Sequence, residues 1–222
     1  MDRPDVDPHD LRCSLRFIRI VNSLLRYTRA TIAHLERFSR TWERDQVIRL
    51  IDFATGSADI PRAILRWGDA RGFRMEIIGI DLHPLTARIA EEGGSPDPRL
   101  RIVRADAMNV PFADASFDYA LTAMFLHHLD DEQVVRVLRE MDRVAARGMI
   151  AADLLRNRRA YAWIQLLTLG SNPMVRHDAR VSVAQAFNRA EVLQLRERAG
   201  LTYTKFTRHF AHRFVLAGEK GR

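Results

Sequence analysis

From residue 47 onward, short apolar runs alternate with longer segments whose apolar residues recur every three or four positions. The runs predict strands and the longer segments predict helices. We predict seven strands, at Val47–Phe53, Arg74–Ile80, Leu100–Val103, Phe117–Ala123, Met149–Ala152, Leu201–Phe206 and His212–Ala217. We predict helices at Ile60–Trp67, Pro84–Glu92, Asp131–Val144, Asn157–Leu169 and Asn188–Ala199.

Alternating strands and helices imply parallel pairing through right-handed crossovers, and so a doubly wound, seven-stranded α/β sheet. The last two strands are joined by residues 207–211, too few for a crossover helix, so we expect them to pair as an antiparallel hairpin.

Two stretches stand outside this alternation. Leu11–Arg40 carries apolar residues at helical spacing with arginines between them, which predicts one or two amphipathic helices. Asn172–Phe187 is expected to be an irregular, polar and basic insertion. We therefore divide the chain into an N-terminal helical extension, residues 1–45, and one α/β domain, residues 46–222.

Composition places the protein among soluble globular chains, with 47% apolar and 28% charged residues. No apolar run approaches the roughly 20 residues of a membrane span, and we expect no secretory signal peptide. The single cysteine, Cys13, excludes an intramolecular disulfide and a cysteine-based zinc site. We expect a cytoplasmic protein, a monomer or homodimer, and assign no metal.

The net charge of +7 raises the question of nucleic-acid binding. The basic residues are almost all arginines, spread along the chain and not alternating with aromatic residues. This distribution is typical of a GC-rich bacterial genome, so nucleic acid is the disfavoured partner.

Ligands of doubly wound sheets bind beyond the carboxyl ends of the strands. Acidic residues follow three of the predicted strands there, at Asp52, Asp81 and Asp106. An ionised carboxylate such as Asp81 can accept both hydroxyls of a ribose. Asp106 can accept a bond from an exocyclic amine while the N–H of Ala107 donates to a ring nitrogen.

The first strand and its turn read VIRLIDFATGSADI, with an acid and then small residues at every second position. The usual D-x-G-x-G-x-G pattern presents backbone to an adenosyl-type ligand. Here Ala54 and Ala58 replace two of the glycines. A positive φ at Ala54 would cost about 1 kcal/mol. We expect Ala58, at the helix start, simply to pack against the strand.

Four segments together resemble the class I S-adenosylmethionine-dependent methyltransferases, in the type 11 branch that includes the ubiquinone and menaquinone methyltransferases and many natural-product O-methyltransferases. They are LIDFATGSADIP, IIGIDLHP, RADAMNVPFADASFDYALTAMFLHHL and LREMDRVAARGMIAADL. The resemblance implies a Rossmann-like fold and S-adenosyl-L-methionine as cofactor. It implies cofactor contacts at Asp52, Ala54, Thr55, Gly56, Asp81, Leu82, Asp106, Ala107 and Thr122.

Methyl transfer to a hydroxyl needs alignment and a base. His127 and His128 follow the fourth strand, and we predict one of them, preferably His127, as the base. The alternative is that one of the two packs under the strand and caps the helix that begins at Asp131. Asp153 either assists the histidine or caps the following helix. We predict substrate contacts at Met124, Arg156, Tyr161, Arg176 and His177. Each of these residues also has an interpretation without a substrate. Arg156 would lie at a solvated helix start, and Met124 and Tyr161 would pack in the core. Arg176 and His177 would belong to a surface loop with an internal ion pair.

The leading prediction is therefore an S-adenosylmethionine-dependent methyltransferase acting on a small molecule, by O-methylation of a phenolic, polyketide or quinone-like acceptor. Carbon methylation of an electron-rich ring is close behind. The alternative is a non-catalytic binding partner whose cofactor site is weakened at Ala54 and Ala58. A nicotinamide-dependent oxidoreductase is disfavoured because no G-x-G-x-x-G follows the first strand. The N-terminal helices are expected to act as a lid.

Overall fold

The structure, a computed structural model, describes residues 11–13, 15–16, 27–156, 168, 173–210 and 212–221. Its centre is one seven-stranded sheet with the order β3-β2-β1-β4-β5-β7-β6. The strands are β1 Val47–Phe53, β2 Arg74–Asp81, β3 Leu100–Arg104, β4 Phe117–Ala123, β5 Ala145–Leu154, β6 Lys205–His209 and β7 Arg213–Glu219. The first five pair in parallel, whereas β7 runs antiparallel to β5 and β6, which confirms the predicted fold class.

Helices cover both faces of the sheet. They are α1 Tyr27–Phe38, α2 Asp59–Arg71, α3 Pro84–Glu92, α4 Asp131–Val144, α5 Pro173–Gln185 and α6 Arg189–Arg198, with 3₁₀ turns at Ser39–Thr41 and Leu126–His128. One apolar core lies between the sheet and α4 with α6, and a second lies between the opposite face and α1 with α2. None of the helices in the described part of the chain combines the length and apolar character needed to cross a bilayer.

The N-terminal helix α1 is joined to the sheet by polar as well as apolar contacts. Beyond its end, Trp42 Nε1 donates to the hydroxyl of Tyr119 at 2.8 Å, and that hydroxyl donates to Glu219 Oε1 at 2.7 Å. Within α1, His34 Nε2 lies 3.2 Å from His209 Nε2 and 3.3 Å from Thr207 Oγ1. Polar bonds thus join helix α1 to β6 and join the residue that follows its 3₁₀ turn to β4 and, through Tyr119, to β7.

Three predicted elements differ from the structure. Strand β5 extends to Ala145–Leu154 because Ala145 pairs with β4 and its carboxyl end pairs with β7. Strand β6 begins at Lys205, because Thr202 and Thr204 donate backbone bonds into a turn with the carbonyls of Gly200 and Leu201. The segment predicted as irregular contains helix α5. Proline suits a first helical turn, and neither glycine nor another proline interrupts residues 174–185. The predicted helix Asn157–Leu169 falls almost entirely outside the described residues.

His34 makes the stability of this face depend on pH. Burial, followed by the nearby charges of His209 and Arg37, lowers the pKa of His34 from 6.5 to about 4. The unfolded chain therefore takes up a proton near pH 6.5 that the folded protein accepts only near pH 4. The free energy of unfolding therefore keeps its full value above pH 6.5 and decreases as the pH falls from there towards 4.

We expect the wild type to lose about 2–3 kcal/mol more unfolding free energy than His34→Gln when the pH falls from about 7.5 to about 4.5. Urea unfolding at the two pH values measures this difference. His212→Gln serves as the control and should follow the wild type. Equal losses in the wild type and His34→Gln would mean that His34 is not held neutral in the folded state.

Candidate functional site

The ends of four parallel strands place the predicted polar residues at one edge of the sheet. Phe53, at the end of β1, is paired with Ile80 of β2 on one side and Thr122 of β4 on the other. Ala123 of β4 is paired with Ala152 of β5. The residues that follow these pairs therefore meet at the carboxyl edge, where a doubly wound sheet binds ligands.

We call the groups of polar residues at these four strand ends the corners of the site. The first corner contains the buried carboxyl group of Asp52. Its Oδ2 accepts a hydrogen bond from Thr55 Oγ1 at 2.7 Å, and the Thr55 N–H donates to the carbonyl of Ile80 at 2.9 Å. Burial raises the pKa of Asp52 to about 7; the bond from Thr55 acts in the opposite direction, and the charges of Asp59 and Asp81 add to the increase. Asp52 is therefore poised to change charge near neutral pH.

The turn after Asp52 contains three left-handed residues. Ala54 has φ 54°, Gly56 has φ 56° and Ala58 has φ 54°. The expectation that Ala58 only packs against the strand is wrong: it is fully buried, and it also adopts the left-handed conformation. The small residues at alternate positions are those with positive φ. Each alanine costs roughly 1–2 kcal/mol in a conformation that glycine adopts freely.

The second corner is Asp81, at the end of β2. Its Oδ2 accepts the N–H of Gly56 at 3.1 Å and its Oδ1 accepts the N–H of His83 at 3.0 Å, so the carboxylate links the first turn to the start of α3. The next residue, Leu82, is 60% exposed, and Arg104 Nε donates to its carbonyl. A carboxylate beside an exposed apolar side chain suits a ligand with hydroxyl groups and a flat ring.

The third corner lies after β3. The N–H of Ala105 donates to the carbonyl of Asp81 at 3.1 Å, which sets this loop beside the second corner. Asp106 Oδ1 accepts the N–H of Met108 at 2.9 Å, and Ala107 is buried. The predicted contacts from Asp52 to Ala107 thus come from three adjacent strand ends, and their donors and acceptors fit an adenosyl-type ligand.

The fourth corner is a buried pair formed by His127 and Asp153. His127 Nδ1 lies 2.6 Å from Asp153 Oδ1, and the side chains are 1% and 0% exposed. The N–H groups of His127 and Leu154 donate to the same carboxylate at 3.2 and 2.6 Å. Burial alone would raise the pKa of Asp153, but the charge and side-chain bond of His127, the N–H of Leu154 and the charge of His128 hold it below its usual value. An ionised Asp153 orients Nδ1–H towards itself and leaves the lone pair on His127 Nε2.

The two adjacent histidines have different surroundings. Both lie in the 3₁₀ turn after β4, their rings 4.2 Å apart, but His127 is buried and His128 is exposed. Neither caps α4, because Asp130 forms the N-cap through a reciprocal pair of bonds with Gln133. The geometry thus favours His127, because its ring is buried and its Nδ1 lies against the carboxylate of Asp153.

Two predicted contacts direct their polar atoms elsewhere. Thr122 Oγ1 donates to the carbonyl of Phe53 at 3.0 Å and is buried, so it ties β4 to β1. Arg156 donates to the carbonyl of Ala186 and pairs with Glu191, so its guanidinium fastens β5 to the start of α6. The polar atoms of both side chains are thus engaged in bonds within the chain.

The remaining predicted substrate contacts are distributed over two elements. Met124 is half-buried after β4, with φ 59° and its N–H bonded to the carbonyl of Ala152. Arg176 is half-buried on α5, the helix that packs against the His127 turn. Tyr161 and the side chain of His177 lie outside the described residues.

Sequence reasoning missed one residue at the first corner. This residue is Leu15. A side-chain carbon placed on Gly56 would lie 3.9 Å from Leu15 Cδ2, so Leu15 lies over the turn after Asp52. Leu11 and Leu15 pack on Ile89 of α3, and Arg12 pairs with Glu92 at 3.1 Å. The spacing of four residues between the two leucines is the signal that could have identified this face.

Comparisons with known proteins agree on one family. Residues 51–152 match the family described as "Methyltransferase domain". Over 100 residues the chain is 30% identical to a demethylmenaquinone methyltransferase of Lysinibacillus sphaericus, covering 45% of this chain and 41% of that protein. Over 106 residues it is 32% identical to the enzyme of that name from Staphylococcus carnosus, covering 48% and 42%. The match thus spans about two fifths of the length of these relatives.

Among solved structures, the fold is similar to a SAM-dependent methyltransferase from Aquifex aeolicus. The TM-score is 0.61 at 15% identity, with 97% of this chain and 99% of that chain covered. At this identity the likeness concerns the fold.

Relief of backbone strain should be measurable at the first turn. We expect Ala54→Gly and Ala58→Gly each to raise the free energy of unfolding by about 1 kcal/mol, because glycine removes the cost of positive φ. Urea unfolding checks both variants. Ala63→Gly, inside α2, is the matched control and should lower stability by about 1 kcal/mol. A loss of stability in all three variants would contradict the assigned backbone conformation.

Proposed function

We propose that the chain carries a class I S-adenosylmethionine-dependent methyltransferase domain of the type 11 branch and that it transfers a methyl group from S-adenosylmethionine to a small molecule. The observation that carries this proposal is the His127–Asp153 pair beside the adenosyl-type corners of the site. The reaction we favour is O-methylation of a phenolic or quinone-like acceptor, carried out in the cytoplasm.

The cofactor would be held by the first three corners. Asp52, Thr55 and Gly56 form the turn proposed for its methionine part, Asp81 with Leu82 would receive the ribose, and Asp106 with Ala107 the adenine. When bound, S-adenosylmethionine supplies a methyl group activated by a positively charged sulfur. The protein's own task is then to align the acceptor and remove its proton.

His127 is proposed to remove that proton. Asp153 accepts the Nδ1 bond and stabilises the imidazolium that forms when Nε2 takes the hydroxyl proton of the acceptor. The deprotonated oxygen then carries the electron pair that would form the new bond to the methyl carbon, while the electron pair of the carbon–sulfur bond would stay on the sulfur, which would leave as a neutral thioether. Deprotonating a phenol also raises the electron density of its ring, so the same arrangement supports carbon methylation.

The class of acceptor rests on two lines of support. The sequence relatives are named demethylmenaquinone methyltransferases, and a quinol is a phenol-like acceptor. Helix α5 packs on the His127 turn, so this helix lies close to where the acceptor would be deprotonated. We also propose that residues 1–45 act as a lid, since Leu15 already lies over the first turn.

Calorimetric titration with S-adenosylmethionine tests the cofactor site. We expect measurable binding, and we expect Asp81→Asn to weaken it about tenfold or more because the ribose hydroxyls lose a charged acceptor. Asp131→Asn is the control, since its side chain is 71% exposed on α4, and it should bind as the wild type does. No heat of binding at millimolar cofactor would sink the enzyme proposal and leave the non-catalytic alternative.

Turnover distinguishes the two histidines. With an acceptor found by screening phenols and quinols for the mass of one added methyl, we expect His127→Ala to lower kcat about a hundredfold or more. His128→Ala should lower kcat less than about tenfold, because that ring is exposed to solvent. Cofactor affinity should be unchanged in both. A larger loss in His128→Ala would reverse the assignment.

A further inference from the structure

Two large apolar side chains are exposed among the described residues. They are Leu82, 60% exposed, and Phe210, 75% exposed. Leu82 adjoins Asp81 and belongs to the proposed cofactor site. Phe210 has no place in that site: it follows β6 directly, in the connection to β7. A phenylalanine exposed to this extent contributes little to the folded core, so its interest lies in what it contacts outside the chain.

The fold places Phe210 on the side of the molecule where the candidate site opens. In the register of β5 and β7, Asp153 is paired with Phe214 and Leu154 with Arg213. The N–H of Leu155 also donates to the carbonyl of His212 at 2.8 Å. The hairpin turn therefore lies just beyond the end of β5, at the edge where His127 and Asp153 meet.

The surroundings of Phe210 are cationic. Residues 199–218 contain no aspartate or glutamate; their exposed basic residues are Lys205 and Arg208, whereas Arg213 is buried. Arg208 is exposed, and no hydrogen bond or ion pair joins it to another residue in the described part of the chain. Phe206 lies on β6, the same strand as Arg208, and the guanidinium of Arg189 from α6 lies over its ring, 5.7 Å from the ring centre. An exposed arginine such as Arg208, on a hairpin segment that carries no acidic residue, favours a negatively charged surface.

We propose that Phe210, Arg208 and Arg189 form a docking surface for an anionic lipid bilayer. An aromatic ring at a projecting turn can enter the headgroup region, while adjacent guanidinium groups pair with lipid phosphates. A nucleic acid is the poorer occupant because single-stranded sites stack successive bases on several exposed aromatic rings, and here a single ring projects.

Docking in this orientation turns the carboxyl edge of the sheet towards the membrane. An acceptor dissolved in lipid would then reach the His127 side of the site from the bilayer. This consequence rests on the proposed function, whereas the docking itself depends only on the hairpin.

Flotation with phosphatidylcholine vesicles, with and without phosphatidylglycerol, tests the proposal. We expect the wild type to bind only the anionic vesicles and to be released by salt. Phe210→Asp should weaken binding about tenfold or more, and Arg208→Glu about fivefold or more. Phe210→Trp should retain binding and shift its fluorescence to the blue. Arg136→Glu, an equal charge change at an exposed position of α4, should bind as the wild type does.

Three results would overturn the docking surface. They are no binding to anionic vesicles at low salt, an equal loss in Arg136→Glu, and binding to duplex or single-stranded DNA, without vesicle binding, that depends on Phe210. Each variant is also titrated with S-adenosylmethionine, which should bind unchanged and so reports on folding. Vesicle binding without cofactor binding would refute the proposed function and leave the docking surface standing.

Discussion

The buried hydrogen bond between His127 and Asp153 is the interaction on which the account of this site depends. A carboxylate with no exposure can remain ionised only if donors surround it, and three N–H groups do so here. Those donors come from the turn after β4 and from the end of β5. The bond therefore fixes the ends of two adjacent strands to each other as well as the orientation of one imidazole ring.

At the neighbouring strand ends, acidic groups also hold the backbone in place, Asp52 within its own turn and Asp81 between two strand ends. Asp52 receives the hydroxyl of Thr55, and Asp81 receives the N–H of Gly56 from the neighbouring strand end. The turn reaches these acceptors only by adopting left-handed conformations at alternate positions, which explains why residues 54, 56 and 58 are small. Two of them are alanine, so the geometry is kept at a cost in backbone strain.

Much of this arrangement could be predicted from the sequence, because strand ends follow from local patterns. An apolar run that ends in an acid locates Asp52 and Asp81 without knowledge of the rest of the chain. The pairing of His127 with Asp153 was open at that level, since the two residues are 26 positions apart. It depends on the register of β4 and β5, which the spacing of apolar residues does not specify.

Other features depended on contacts that local patterns do not carry. The positive φ of Ala58 is set by the path of the turn, and a buried alanine is equally compatible with ordinary packing. Thr122 and Arg156 stand at strand ends, as ligand contacts would, yet their polar atoms bond to the carbonyls of Phe53 and Ala186. The length of β5 depends on its pairing with β7, which is remote in sequence.

Nitrogen-15 NMR of the His127 ring is the measurement that tests the central claim most directly. At neutral pH the account predicts a protonated Nδ1 and an unprotonated Nε2, with this preference lost in Asp153→Asn because the carboxylate no longer fixes the tautomer. The His127→Gln variant identifies the signal by its disappearance. A ring protonated at Nε2 alone, or a tautomer unchanged by Asp153→Asn, would contradict the account.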